Sequence, residues 1–167
     1  LDTVIRPAIE TDAEALQRFL AALIGEELPV LFRRSHAPAV EDQRAFIRKT
    51  AEEPRTVLLV AICDGEVVGM LDFHGHPKAQ RAHAGGLGMS VAKEWRGTGI
   101  GSQLLKRLFA WAKGEGVWRV ELEVLSNNVR AISFYERLGF VHEGRQTRAV
   151  EVDGEYVDIM FMAKILA

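Results

Sequence analysis

The chain contains a single cysteine, Cys63, so it holds neither an intramolecular disulfide nor a cysteine cluster for zinc. That residue ends the apolar run TVLLVAIC, which predicts a buried, inert thiol. No apolar run approaches the roughly 18 to 20 residues that span a bilayer, and no membrane partner is expected. The opening residues LDTVIRPAIETD lack the basic, apolar and small-residue regions of a secretory leader, so a cytoplasmic location is expected. Charge of one sign is not in excess: 21 Lys and Arg stand against 23 Asp and Glu, for a formal net charge of -2. That balance gives no global attraction to nucleic acid, so any anion site must be local. Internal repeats, low-complexity tracts and linkers are also missing.

What is present is the profile of one globular domain over residues 1–167, with 48% hydrophobic and 26% charged residues. Residues 3–9 read as a short edge strand. Thr11 or Asp12 is placed to cap a helix bearing Ala13, Leu16, Phe19, Leu20, Leu23 and Ile24 at helical spacing. The stretch from Gly25 to Pro38 reads as an irregular loop, and residues 40–53 as a second helix. Residues 56–63 and 66–75 form β-branched apolar runs around Asp64-Gly65, the signature of a tight antiparallel hairpin. Further strands are expected over residues 87–91, 118–124, 140–145 and 155–166, and helices from Ile100 to Ala112 and over 128–138. The expected architecture is an α/β (α+β) domain: one mixed, mostly antiparallel sheet of six to seven strands with about four helices on its faces.

The densest signal is LGMSVAKEWRGTGIGSQLLKRLFAW, residues 87–111. An apolar strand leads into a turn with Gly97, Gly99 and Gly101 at every second position, and a long amphipathic helix follows. Glycine lets backbone N–H groups approach an anion closely, and the helix start adds its positive dipole end. A P-loop needs Lys followed by Ser or Thr after its last glycine, whereas Gly101 is followed by Ser102 and Gln103. The dinucleotide fingerprint G-x-G-x-x-G fails at Ser102 when started from Gly97 and at Leu104 when started from Gly99. What remains is Arg96-x-x-Gly99-x-Gly101.

That pattern resembles the coenzyme A signature of the GNAT superfamily of N-acetyltransferases. A second segment, Asn128-x-x-Ala131-Ile132-x-Phe134-Tyr135-Glu136-Arg137-Leu138-Gly139-Phe140, is similar to another motif of that family. The tail GFVHEGRQTRAVEVDGEYVDIMFMAKIL most resembles the bacterial branch acting on amino acids and small amines. The resemblance implies acetyl-CoA as co-substrate, no metal, and transfer of acetyl to the primary amine of a small molecule by direct attack in a ternary complex. A protein N-terminal or lysine acetyltransferase and a non-catalytic acyl-CoA sensor stand as alternatives, and a homodimer is compatible with the family.

By the same resemblance, the strand bearing Met89, Ser90 and Val91 would pair with the pantetheine arm and splay from the strand over 118–124. A backbone N–H near Met89 would stabilise the oxyanion. Arg96, Gly97, Thr98, Gly99, Ile100, Gly101 and Ser102 would hold the pyrophosphate, the glycines mattering more than the side chains of Thr98 and Ile100. Gly85, Gly86 and Gly88 suggest a bulge or a close backbone approach. Tyr135 is the expected general acid, and Asn128 the helix cap and a coenzyme contact. The carboxylate that many relatives carry as base falls on Gly86, which leaves His74, His76, His83, Glu121 and Glu123 as candidates. An α-amine, with a reference pKa near 7.7 to 8.0, is partly neutral without a strong base and is the favoured acceptor. The acceptor pocket is expected from the Gly25 to Pro38 loop and the hairpin around residues 145–156, with Arg33, Arg34, Arg145 or Arg148 available for a carboxylate.

Overall fold

A computed structural model describes residues 2–26, 28 and 35–166. Arg33 and Arg34, two of the candidate carboxylate partners, lie outside the described residues. The elements are β1 (Val4–Pro7), α1 (Ala13–Gly25), α2 (Val40–Glu52), β2 (Thr56–Cys63), β3 (Glu66–Gly75), β4 (Ala84–Val91), α3 (Ile100–Gly114), β5 (Arg119–Leu125), α4 (Val129–Arg137), β6 (Val141–Val152) and β7 (Glu155–Ile165). The strands form one seven-stranded sheet in the order β1-β2-β3-β4-β5-β7-β6. All neighbouring pairs are antiparallel except β4 with β5.

Both Asp-Gly dipeptides turn hairpins as their chemistry dictates. Asp64 and Gly65 have φ of 49° and 80°, and Asp153 and Gly154 have 50° and 84°. Two consecutive left-handed residues match the twist of the flanking strands, and Asp and Gly tolerate that conformation.

The sheet separates two apolar layers. Leu58, Val60 and Val67 face Ala13, Leu16 and Phe19 of α1 and Ile47 of α2. On the other face Leu59, Leu71, Phe73, Val120 and Leu122 meet Ile100, Leu104, Leu105, Leu108 and Ala112 of α3, with Tyr135 of α4 beside them. Cys63 is buried as expected. Among the described residues, α1 and α2 cover β1 to β3 and leave the same face of β4 and β5 uncovered.

Several boundaries differ from the sequence expectation. β1 ends at Pro7. β4 begins at Ala84 rather than 87, because backbone pairing with β3 and β5 orders glycines that carry no side-chain signal. β6 runs to Val152 rather than ending at 145, although its residues from 141 to 149 are exposed. Pairing with β7 sustains it, with register shifts between His142 and Gly144 and between Gln146 and Val150. Asp12 does not cap α1 through its side chain. Its carboxylate turns back to Arg6, at 2.7 and 2.9 Å, and to the Ile9 N–H at 2.8 Å.

Leu108 is fully buried at the centre of the α3 layer. Leu108→Ala should lower the unfolding free energy by about 2 to 5 kcal/mol, as transfer and cavity terms add, read from urea denaturation.

Candidate active site

β4 pairs with β3 along its whole length, from Gly75 opposite Gly85 to Gly69 opposite Val91, with no register shift. Its pairing with β5 covers only Ala84, Gly85 and Gly86, opposite Arg119, Val120 and Glu121. Both strands continue past that point unpaired with each other, β4 to Val91 and β5 to Leu125. The expected splay is therefore present, and it opens just after Gly86.

The direction of the free backbone groups follows from alternation along the strand. The Ala84 carbonyl accepts from the His76 N–H, and the Ala92 N–H donates to the Val68 carbonyl, so even-numbered residues of β4 bond toward β3. The N–H and C=O groups of Leu87, Met89 and Val91 therefore point into the gap. The Val91 carbonyl, which accepts from Arg96 Nε at 3.0 Å, agrees with this direction.

No bulge explains the glycines of β4, contrary to one sequence expectation. A Cβ at Gly85 would lie 2.4 Å from Phe73 Cζ and 2.5 Å from the His74 carbonyl oxygen, so close packing excludes a side chain there. A Cβ at Gly86 would meet nothing nearer than the Glu121 carbonyl oxygen at 3.8 Å. At Gly88 it would lie 3.0 Å from Asp72 Oδ1. Gly86 thus leaves open space on the uncovered face, whereas Gly88 lies under the Asp72 carboxylate.

The turn after β4 uses its three glycines in two ways. Gly97 and Gly99 have φ of 74° and 94°, a region that L side chains enter only under strain. Gly101 lies inside α3, where a Cβ would sit 3.0 Å from Phe134 Cζ, so it sets the approach of α3 to α4. Gly99 caps α3 without a side-chain hydrogen bond, and the first N–H groups of that four-turn helix are left for an anion.

A cavity of about 440 Å³ opens on this turn. Of the residues expected to bind a coenzyme, Met89, Ser90, Val91, Arg96, Gly97, Gly99, Gly101, Ser102, Asn128 and Tyr135 line it. Thr98 and Ile100 do not: the Thr98 hydroxyl donates to the Trp95 carbonyl, and Ile100 is buried in the core. Asn128 caps α4, its Oδ1 accepting from the Ala131 N–H at 3.3 Å. The Arg96 guanidinium is engaged elsewhere, bidentate with Glu26 at 2.6 and 3.0 Å, both side chains less than a fifth exposed. It ties the end of α1 to the end of β4 and so holds the turn in place. Arg130 and Arg137, which sequence analysis did not assign to the site, add positive charge to the cavity wall.

A second cavity, of about 920 Å³, lies on the open face of β4 and β5. Met89, Ser90, Asn128, Ala131 and Tyr135 line both, so the two meet at the splay. Tyr135 is 8% exposed. Burial first, and the Asp72 charge second, push its pKa up to about 12.

Of the candidate bases, His76, Glu121 and Glu123 line the larger cavity. His83 stacks on Trp118, with ring centroids 4.5 Å apart, and is not part of that wall. Burial works to raise the Glu121 pKa, but hydrogen bonds from His76 and Arg119 prevail and hold it below the usual carboxylate value. Arg81 also reaches Glu121, at 3.3 Å. His74 Nε2 lies 3.0 Å from Asp72 Oδ2. Asp72 lines the cavity and was missed by sequence reasoning. Its only trace there was a polar residue in the apolar run of β3.

The expected arginines of the 145–156 hairpin also lie off the cavity wall. Arg145 pairs with Asp158 at 2.5 Å, and the Arg148 guanidinium sits 5.2 Å from the Tyr156 ring centroid. Arg81 and Arg119 line the cavity instead. β5 and the segment before β4 deliver them, and only tertiary placement reveals it.

Gly99→Ala should cost about 1 to 2 kcal/mol, because the turn would force an L residue into left-handed backbone. Gly101→Ala should also destabilise, despite the better helix propensity of alanine, because Phe134 must move. Urea denaturation of both variants checks the assignment.

The chain resembles characterised proteins across its length. It is 29% identical over 168 residues to an L-amino acid N-acetyltransferase, AaaT, of Escherichia coli, covering 98% of each chain. It is 27% identical over 123 residues to an L-methionine sulfoximine/L-methionine sulfone acetyltransferase of Pseudomonas aeruginosa, covering 72% of this chain and 71% of that one. A crystal structure of a GNAT-family acetyltransferase from Streptococcus pneumoniae superposes with a TM-score of 0.91 at 27% identity, covering 98% and 99% of the two chains. Residues 19–140 match the acetyltransferase (GNAT) family. With that match falling on the splayed strands and the glycine turn, the chain belongs to the GNAT acetyltransferase family.

Proposed function

We propose that this N-acyltransferase moves the acetyl group of acetyl-CoA to the primary amine of an amino acid or a closely related small molecule, by direct attack in a ternary complex. The observation that carries the reading is the meeting of two cavities at Met89 and Tyr135, one built for an anionic, extended donor and one open to an acceptor. The residues present fit the coenzyme. The turn offers backbone N–H groups, Arg130 and Arg137 offer positive charge, and β4 offers an unpaired edge to an amide-bearing arm. The relatives named for amino acid substrates support the class of acceptor.

The coenzyme supplies a thioester, an acyl group already activated toward amines. The Met89 N–H, directed into the gap, is placed to donate to the carbonyl oxygen as it gains negative charge. Tyr135 retains its proton throughout the neutral range, because its pKa of about 12 lies far above it. As the N–C bond forms and the C–S bond breaks, its hydroxyl hands a proton to the departing sulfur, and a proton from the acylated nitrogen restores the phenol. An acceptor carboxylate is met by Arg81, whose guanidinium is about half exposed and only loosely paired with Glu121.

Calorimetry with acetyl-CoA should show binding by the folded protein, and thiol release should follow on adding L-amino acids. Acetylation of peptides with none of free amino acids would move the acceptor to protein N-termini. Tyr135→Phe should bind acetyl-CoA normally yet lose about 100-fold or more in kcat; an undiminished rate would remove Tyr135 as the acid. Arg81→Ala should raise KM about tenfold for amino acids, a loss of one charge-assisted hydrogen bond. It should leave the KM for the corresponding amino acid amides unchanged.

A further inference from the structure

Glycine occupies position 86, and the open space above it leaves the acceptor cavity without a carboxylate on β4. The neighbouring strand fills that need. Asp72 on β3 stands opposite Gly88 in register, and its Oδ1 lies over the bare glycine, 3.0 Å from where a Cβ would be. Gly88 immediately precedes Met89, whose N–H points into the gap. The Asp72 side chain is 29% exposed, and it shares the cavity wall with Met70 and Tyr135. Its charge is felt at the Tyr135 hydroxyl from across the cavity.

The geometry points to Asp72 as the catalytic carboxylate that receives the acceptor's ammonium group and takes its proton, with His74 as the positioning residue that holds it. The assignment rests on the acetyl-transfer reading above. Asp72 Oδ2 is bound by His74 Nε2, which leaves Oδ1 directed over Gly88 toward the acceptor space. Glu121, which with Glu123 is a rival carboxylate on β5, is shared among His76, Arg81 and Arg119 and has less freedom to accept a proton.

The acceptor arrives as R–NH3+ and gives one proton to Asp72, and its lone pair then forms the N–C bond. The C–S bond breaks, Tyr135 protonates the sulfur, and a second nitrogen proton restores Tyr135. The proton on Asp72 leaves to solvent by way of His74, whose side chain is 43% exposed. The sum is R–NH3+ plus thioester giving amide, thiol and one proton.

Among the described residues, the groups facing this pair are few. Asp72 raises the His74 pKa through their hydrogen bond, burial opposes it, and Glu53 and Lys49 at the end of α2 act more weakly in opposite senses. Phe46 of α2 places its ring 6.4 Å from that of His74. β2 offers Thr56 and Leu58 in register, β4 offers Gly86 and Gly88, and neither side adds a titrating group. Tyr135 of α4 feels the Asp72 charge as well.

The test compares wild type with Asp72→Asn and His74→Gln, using acetyl-CoA with a panel of L-amino acids and L-methionine sulfone. Asp72→Asn keeps the hydrogen-bond acceptor for His74 but cannot take a proton. It should bind acetyl-CoA in calorimetry as wild type does. Its kcat should fall about 100-fold or more near pH 7, the deficit shrinking as pH rises toward the acceptor's own amine pKa. His74→Gln should displace the acidic limb of kcat/KM with a smaller loss of rate. In NMR titrations the His74 ring should titrate above 6.5 in wild type and closer to it in Asp72→Asn, and saturating acceptor should shift the wild-type midpoint. An Asp72→Asn profile that overlays wild type would overturn the assignment. So would a pH-independent loss accompanied by weakened acetyl-CoA binding, which would mark Asp72 as structural. A wild-type protein that binds acetyl-CoA but acetylates no amine would overturn the reading of the previous section, and this assignment with it.

Discussion

The site depends on a single constraint: the parallel pairing of β4 and β5 stops after Gly86 and Glu121. Two strands that part company inside a sheet leave backbone donors and acceptors unmatched, which is costly unless something else binds them. Here the free edge belongs to Leu87, Met89 and Val91, and the cavities on either side meet at that edge. The remainder of the sheet holds the split open. β3 supports β4 over seven register positions, and β7 supports β5 over seven more. Neither strand can close on the other without giving up those hydrogen bonds. α3 and α4 brace the gap through Leu104, Leu105 and Leu108 and through the contact of Gly101 with Phe134.

Glycine has three separate jobs within about fifteen residues. At 85 it admits the Phe73 ring, at 86 and 88 it keeps side chains off the cavity wall, and at 97 and 99 it permits left-handed backbone. These roles differ in what a side chain would do. The first would be a clash in the core, the second a filled cavity, the third a strained turn. The same residue type therefore carries stability at one position and access at the next.

Electrostatics divide the site into a basic side at the glycine turn and a mixed side in the larger cavity. Arg130 and Arg137 face the glycine turn, while Arg96 is neutralised by Glu26 and acts as a tie between α1, β4 and the turn. In the larger cavity Asp72 is held by His74, and His76, Arg81, Arg119 and Glu121 form a network around the parallel pairing of β4 with β5. That arrangement suits a zwitterion, whose ammonium and carboxylate need partners of opposite sign some distance apart.

Local patterns determined much of this from the sequence. The apolar periodicity of α3, the alternation of β5, the two Asp-Gly turns and the motifs at Arg96 to Gly101 and Asn128 to Phe140 each depend on residues adjacent along the chain. They were legible for that reason. The length of β6 was not, because its polar residues are held by pairing with β7 rather than by their own pattern. The acceptor side was decided by tertiary structure. Asp72 reaches the centre only because β3 lies beside β4 in a register that sets it opposite Gly88, and Arg81 and Arg119 arrive from separate segments. The glycine turn is a run of consecutive backbone groups that sequence can spell out, whereas the larger cavity is a meeting of side chains far apart in the chain, which only the packed sheet brings together.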